Sequence, residues 1–213
     1  MTQLFSYYRS SCSWRVRVAL HWKQVPFDLF PVHLVNDGGE QLHASFRQRN
    51  PMCQVPVLTD GELDIGQSVA ILEYLEEQYP ERPLLPQGIH ERAHVRQLVE
   101  IINSGTQPLQ NLSVLKHLSG HLNLDSQSTR EWARHWIANG LRAFQQCCQP
   151  RCGTYSVGNA VTLADLCLIP QLYNARRFDV DLGEFETLLR IEENLEQLPS
   201  FQAAHPAQQR DAA

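Results

Sequence analysis

The chain has 213 residues, with 18 Lys and Arg against 23 Asp and Glu and a formal net charge of -5, the balance of an ordinary globular protein. The negative charge and the scattered basic residues argue against a nucleic-acid partner. Met1 to Ser6 carries neither a basic leader nor the apolar run of a signal peptide, and no stretch has the apolar length of a membrane span, so a cytosolic protein without a membrane partner is expected.

Leu4 to Tyr7 reads as a short strand. Trp14, Val18 and Trp22 then recur at helical spacing, so Ser10-Ser11-Cys12-Ser13 forms the first turn of a helix running to Lys23. Free N–H groups and the positive end of the helix dipole converge there and stabilise an anion, whether a phosphate, a carboxylate or a thiolate. On the residues alone the plainer account is a serine N-cap and a small buried Cys12. Phe27 to Val32 is a second strand, Glu40 to Arg49 a short helix that stops before Asn50-Pro51, and Val55 to Leu58 with Leu63 to Ile65 a hairpin turning at Asp60-Gly61. A third helix is expected from Ser68, with that serine as its cap.

Residues 1–80 therefore read as an α/β thioredoxin-like domain, and 81–88, holding Pro83 and Pro86, as a linker. Residues 89–213 read as an all-α domain with helical segments at Glu91 to Leu118, Ser128 to Cys147, Thr162 to Arg176 and Glu184 to Leu195. Thr162-Leu163-Ala164-Asp165 has the form of a capping box, which makes Asp165 a folding residue. Ala207 to Ala213 reads as a disordered tail. In a reducing compartment Cys12, Cys53, Cys147, Cys148, Cys152 and Cys167 are expected as thiols, and the group Cys147, Cys148 and Cys152 matches no common zinc module, so no metal is expected.

Ser10-Ser11-Cys12-Ser13-Trp14-Arg15-Val16-Arg17 resembles the signature of the zeta class of glutathione transferases. Asn50-Pro51-Met52, Gln54-Val55-Pro56, Gln67-Ser68, Gln107-Pro108-Leu109-Gln110-Asn111-Leu112-Ser113 and Asn174-Ala175 with Arg177-Phe178 extend the likeness over nearly the whole chain. The resemblance implies the glutathione transferase fold, glutathione as cofactor and a two-fold homodimer. Ser10 or Ser11, with Ser11 preferred, would hydrogen-bond the glutathione thiol, aided by Arg15 and with Cys12 as neighbour. Val55 and a cis Pro56 would pair with the peptide backbone, Ser68 and Gln67 would take the glutamyl end, and Gln41 the glycyl end. Gln107, Asn111 and Ser113 would complete the glutathione site.

The class includes isomerases of maleyl diacids, so a small diacid is the implied substrate. Thiolate addition, bond rotation and elimination would convert maleylacetoacetate to fumarylacetoacetate in tyrosine and phenylalanine breakdown. Arg9 and Arg177 are the candidates for the two carboxylates. Arg176 is the weaker candidate, because one of two adjacent arginines on a helix must point away. Relatives acting on maleylpyruvate carry an arginine soon after the residue matching Asn111; here Leu112-Ser113 follows, which favours maleylacetoacetate. The alternatives are maleylpyruvate isomerisation and transfer of glutathione to α-halo acids.

Overall fold

The structure, a computed structural model, describes residues 2–212. Its chain divides into two compact units: residues up to Pro83 together with the segment from Glu196 onward, and Leu84–Leu195.

The first unit is built on a four-stranded sheet of order β2-β1-β3-β4, with β1 at Thr2–Ser6, β2 at Phe27–Pro31, β3 at Val57–Asp60 and β4 at Leu63–Gly66. β1 and β2 are parallel, while β3 runs antiparallel to β1 and β4. The parallel pair needs a crossover, which is helix α1 (Ser11–Trp22), and the antiparallel pair needs only the Asp60-Gly61 turn, where Gly61 holds φ +62°. Helix α2 (Ala44–Arg49) places Phe46 against Phe5, Tyr7 and Val57, and α3 (Ser68–Gln78), whose Ile71, Leu72 and Leu75 are wholly buried, packs on α1. This is the thioredoxin-like arrangement. The expected helix from Glu40 to Arg49 is broken, because His43 adopts extended backbone between a single tight turn at Glu40–Leu42 and α2.

The second unit is helical: α4 (Ile89–Asn103), α5 (Leu112–Gly120), α6 (Ser126–Cys148), α7 (Leu163–Arg177) and α8 (Glu186–Glu196), whose last residue lies at the division. The run expected as one helix from Glu91 to Leu118 is interrupted. Gly105 and Thr106 turn the chain, and the buried Thr106 hydroxyl donates to the Ile101 carbonyl at 2.7 Å. Gly140 on α6 makes that turn possible, since a Cβ there would lie 1.9 Å from the Thr106 oxygen.

The chain's end departs from an unbroken second domain to residue 213. A further helix, α9 (Pro199–Ala204), packs on α1 in the first unit. The expectation of a disordered tail is likewise corrected for 207–212: Pro206–Gln208 forms a helical turn, and Asp211 accepts the Tyr8 backbone N–H at 2.9 Å. Ala213 lies outside the described residues.

Asp165, without exposed surface, opens α7 in the capping-box form. Its carboxylate accepts the Thr162 N–H at 2.7 Å, the Thr162 hydroxyl at 3.0 Å and the Ser156 N–H at 2.8 Å, which ties the 151–161 loop to the helix. Asp165→Ala leaves those donors buried and unpaired, and is expected to lower the unfolding free energy by about 3 kcal/mol in urea denaturation.

Candidate active site

Ser10 ends the loop after β1 with extended backbone and accepts the Ser13 N–H at 3.2 Å, so it is the N-cap of α1. Capping uses a lone pair of its oxygen and leaves the hydroxyl proton to donate. Ser11, buried, and Cys12, half-buried, follow as the first two helical residues, where backbone N–H groups have no partner within the helix. The turn thus gathers hydroxyl and amide donors at the positive end of α1.

Arg15, one turn on, is wholly buried and donates to the Ser68 hydroxyl at 3.2 Å. Ser68 does not cap α3, contrary to the expectation from its sequence. The cap position belongs to Gln67, held at φ +65° without a side-chain cap bond, and Ser68 is the first helical residue. Its hydroxyl oxygen is engaged by a guanidinium 53 residues away in sequence, which places a cation behind the N-terminus of α3. An arginine and two helix N-termini in one unit make a field suited to anions.

The Val55–Pro56 peptide bond is cis. Asn50 shapes the approach to it: the side-chain amide donates to the Gln54 carbonyl at 2.7 Å, and its oxygen accepts the Met52 N–H at 3.0 Å. Val55 packs with Tyr7, Val32 and Phe46, so this loop shares a core with the end of β1. Gln41 is buried in the 40–42 turn, with its amide 3.5 Å from the Leu34 carbonyl and its Oε1 without a protein partner. Arg9 is half-buried, its guanidinium 5.7 Å from the Tyr8 ring centre.

The residue that sequence reading left without a role is Arg17. It has no exposed surface, yet its guanidinium donates to the Ser6 hydroxyl at 3.0 Å and to the carbonyls of Tyr7 at 3.3 Å, Tyr8 at 2.8 Å and Ala204 at 3.1 Å. Burial pulls its pKa down to about 10, opposed by the charge of Asp211, so it remains a cation at neutral pH. Tyr8, two residues before Ser10, is therefore held at its carbonyl by Arg17 and at its N–H by Asp211. The available signal is the interleaving of Arg15 and Arg17 with Val16 and Val18 on one helix, since a charge in such an apolar run must have partners.

In the second unit, Gln107 lies in a short helical turn ending at Gln110, and Asn111 caps α5 by accepting the Ser113 N–H at 3.1 Å and the Ser113 hydroxyl at 3.0 Å. Gln110 donates to Gln171 on α7 at 2.7 Å, which joins this turn to the helix bearing Arg177. Arg177 is exposed on the last turn of α7, one of its donors 3.3 Å from the Asn174 side-chain oxygen. Arg176 instead makes two 2.6 Å bonds to Glu192. Among the described residues no group of three His, Cys, Asp or Glu side chains could hold a metal ion, and no helix is long and apolar enough to cross a membrane.

Residues 4–83 match the family described as glutathione S-transferase, N-terminal domain. A Dictyostelium discoideum protein named maleylacetoacetate isomerase is 47% identical over 212 residues, spanning 99% of this chain and 96% of its own. A solved holo structure of maleyl pyruvate isomerase, described as a bacterial zeta-class glutathione S-transferase, superposes with a TM-score of 0.95 at 37% identity over 99% of this chain and 100% of that one. Maleylacetoacetate isomerase from Anaeromyxobacter dehalogenans 2CP-1, solved with dicarboxyethyl glutathione and citrate in the active site, gives a TM-score of 0.90 at 46% identity over 100% of this chain and 98% of that one.

Arg17→Met removes a buried cation and takes a donor from four acceptors together, of which the Tyr7 carbonyl keeps the Ser10 N–H. It is expected to lower the unfolding free energy by about 3–5 kcal/mol in urea denaturation, with Arg17→Lys recovering only part of the loss because an ammonium cannot fork to all of them.

Proposed function

Because the chain belongs to the zeta class of the glutathione S-transferase family, we propose that it is a glutathione-dependent cis–trans isomerase converting maleylacetoacetate to fumarylacetoacetate. The single observation that carries the reading within this structure is the pair of helix N-termini, α1 at Ser10-Ser11 and α3 at Ser68, linked by buried Arg15. That donor set fits glutathione, which has a thiol to be held as its anion and carboxylates to be neutralised. When bound, glutathione supplies a nucleophilic thiolate that adds reversibly to the substrate's cis double bond.

The protein's own residues divide the remaining work. The Ser11 hydroxyl, or that of Ser10, donates to the sulfur, and the α1 amides and dipole favour its negative charge. Cys12, on the same turn, is proposed as a neighbour whose loss affects binding more than chemistry. Ser68 and the N-terminus of α3 hold the glutamyl carboxylate, with Gln67 beside them. Val55 next to Pro56 offers backbone groups to an extended peptide, and the partnerless Gln41 oxygen offers an acceptor toward the glycyl end. Gln107, Asn111 and Ser113 are proposed as further glutathione contacts; the Asn111 amide donors remain for this after its oxygen has capped α5. Arg9 and Arg177 are proposed for the diacid's carboxylates, and the pairing of Arg176 with Glu192 supports the choice of Arg177.

Maleylacetoacetate is preferred to maleylpyruvate because Leu112-Ser113 follows Asn111 and because the closely matching curated relative carries the maleylacetoacetate name. The reading places the protein in the cytoplasm, in tyrosine and phenylalanine breakdown, as a two-fold homodimer. Light scattering is expected to return twice the 24.4 kDa chain mass.

The deciding assay follows ultraviolet loss of maleylacetoacetate with glutathione far below the substrate. Many turnovers per glutathione are expected, with Ser11→Ala lowering kcat/KM about 100-fold and Arg177→Ala raising KM for the diacid about tenfold or more. Turnover that stops when glutathione is spent would instead establish a conjugating transferase, and selective turnover of maleylpyruvate would reassign the substrate.

A further inference from the structure

At the end of α6 two cysteines stand one helical turn apart. Cys148 is the last residue of the helix, fully buried, and its thiol donates to the Ser156 carbonyl at 3.3 Å. Cys152 follows after a turn closed by its own N–H on the Cys148 carbonyl at 2.9 Å. That geometry sets the two Cα atoms about 6 Å apart, inside the range of roughly 4.4–6.8 Å that a disulfide spans. The Cys152 thiol is half-buried, donates to the Gln149 carbonyl at 3.5 Å and lies 3.8 Å from a guanidinium nitrogen of Arg190. Arg190 is anchored there by a 2.8 Å bond to the Gly153 carbonyl. Burial is the main cause that pushes the Cys148 thiol up, and the neighbouring Cys152 and the charge of Asp165 add to it.

We propose that Cys148 and Cys152 form a dithiol–disulfide exchange site, with Cys152 as the attacking thiol, Cys148 as the resolving thiol and a low-molecular-weight disulfide such as oxidised glutathione as oxidant. The asymmetry of the pair sets the order. Cys152 is the reachable sulfur, and the Arg190 guanidinium beside it attracts the anionic glutathione disulfide. Cys148 is enclosed and beside a carboxylate, so it waits as the protonated partner. The Cys152 thiolate attacks one sulfur of the small disulfide, the S–S bond breaks, and one glutathione leaves as a thiolate that takes up a proton. Cys148 then gives its proton to solvent and attacks the Cys152 sulfur, forming the intrachain bond and expelling the second glutathione. Two protein thiols are oxidised by two electrons and one disulfide is reduced to two thiols. The closed bond withdraws the Cys148 thiol from the Ser156 carbonyl, so oxidation acts on the loop that Asp165 ties to α7.

The test incubates the full-length protein with oxidised glutathione, blocks remaining thiols by alkylation and maps the cysteines by mass spectrometry after trypsin. Trypsin cuts at Arg151, so a 148–152 bond appears as two linked peptides. Wild type and Cys147→Ser are expected to give that linkage, reversed by dithiothreitol. Cys148→Ser should hold glutathione on Cys152, Cys152→Ser should leave Cys148 unmodified, and Arg190→Gln should slow the reaction several-fold. The proposal is overturned if wild-type Cys152 stays open to alkylation while Cys12 or Cys53 is modified, if Cys147 is the linked partner, or if glutathione remains on Cys152 without closure. The wild-type map decides the matter even if a Cys148 variant fails to fold.

Discussion

A charge sealed from water organises the first unit. Arg17 sits on a helix face where an aliphatic residue would pack at no electrostatic cost, and burying its guanidinium is tolerable only because oxygen acceptors surround it. Those acceptors come from the end of β1, the loop after it and α9, segments that share no regular backbone ladder. The arginine does for them what a strand pairing does elsewhere: it fixes irregular backbone against a regular element. The loop it fixes is the one that delivers Ser10 to the start of α1.

A second buried arginine acts at the other side of that helix N-terminus. Arg15 and Arg17 are two residues apart and so project from different faces of α1, one toward α3 and one toward α9. The same helix thereby fixes the environment of Ser68 and the path into Ser10. Electrostatics suited to a bound anion are set by side chains that no solvent reaches, which keeps them strong and little screened by salt.

Local chemistry made much of this legible in the sequence. Asp60-Gly61 announced the hairpin, Thr162 to Asp165 announced the start of α7, and the spacing of Trp14, Val18 and Trp22 placed the helix on which the site depends. Each is decided by residues within a few positions of one another. What stayed hidden depends on distant partners. Ser68 looks like a cap because serine before a helix usually is one, and nothing nearby tells that Gln67 takes the left-handed backbone or that Arg15 claims the hydroxyl. The polar residues after Pro206 read as a tail because the partner of Asp211 is Tyr8, 203 residues earlier. The break after Asn103 shows in sequence only as Gly105 and Pro108, whereas its tightness rests on the missing side chain of Gly140.

The return of the last segment to the first unit has a consequence for how the protein is made. Arg17 and the Ala204 carbonyl are 187 residues apart in sequence. At about 5–20 residues per second, a ribosome takes about 10–40 s between the two. Throughout that interval the nascent first unit holds a guanidinium whose final acceptor has not been synthesised, and the face of α1 that α9 will cover has no cover of its own chain. The first unit therefore cannot finish folding in the order in which it is made. Its closure waits for the segment around Ala204 to emerge, and a ribosome stalled within α8 would leave uncovered a face of the helix that was made first.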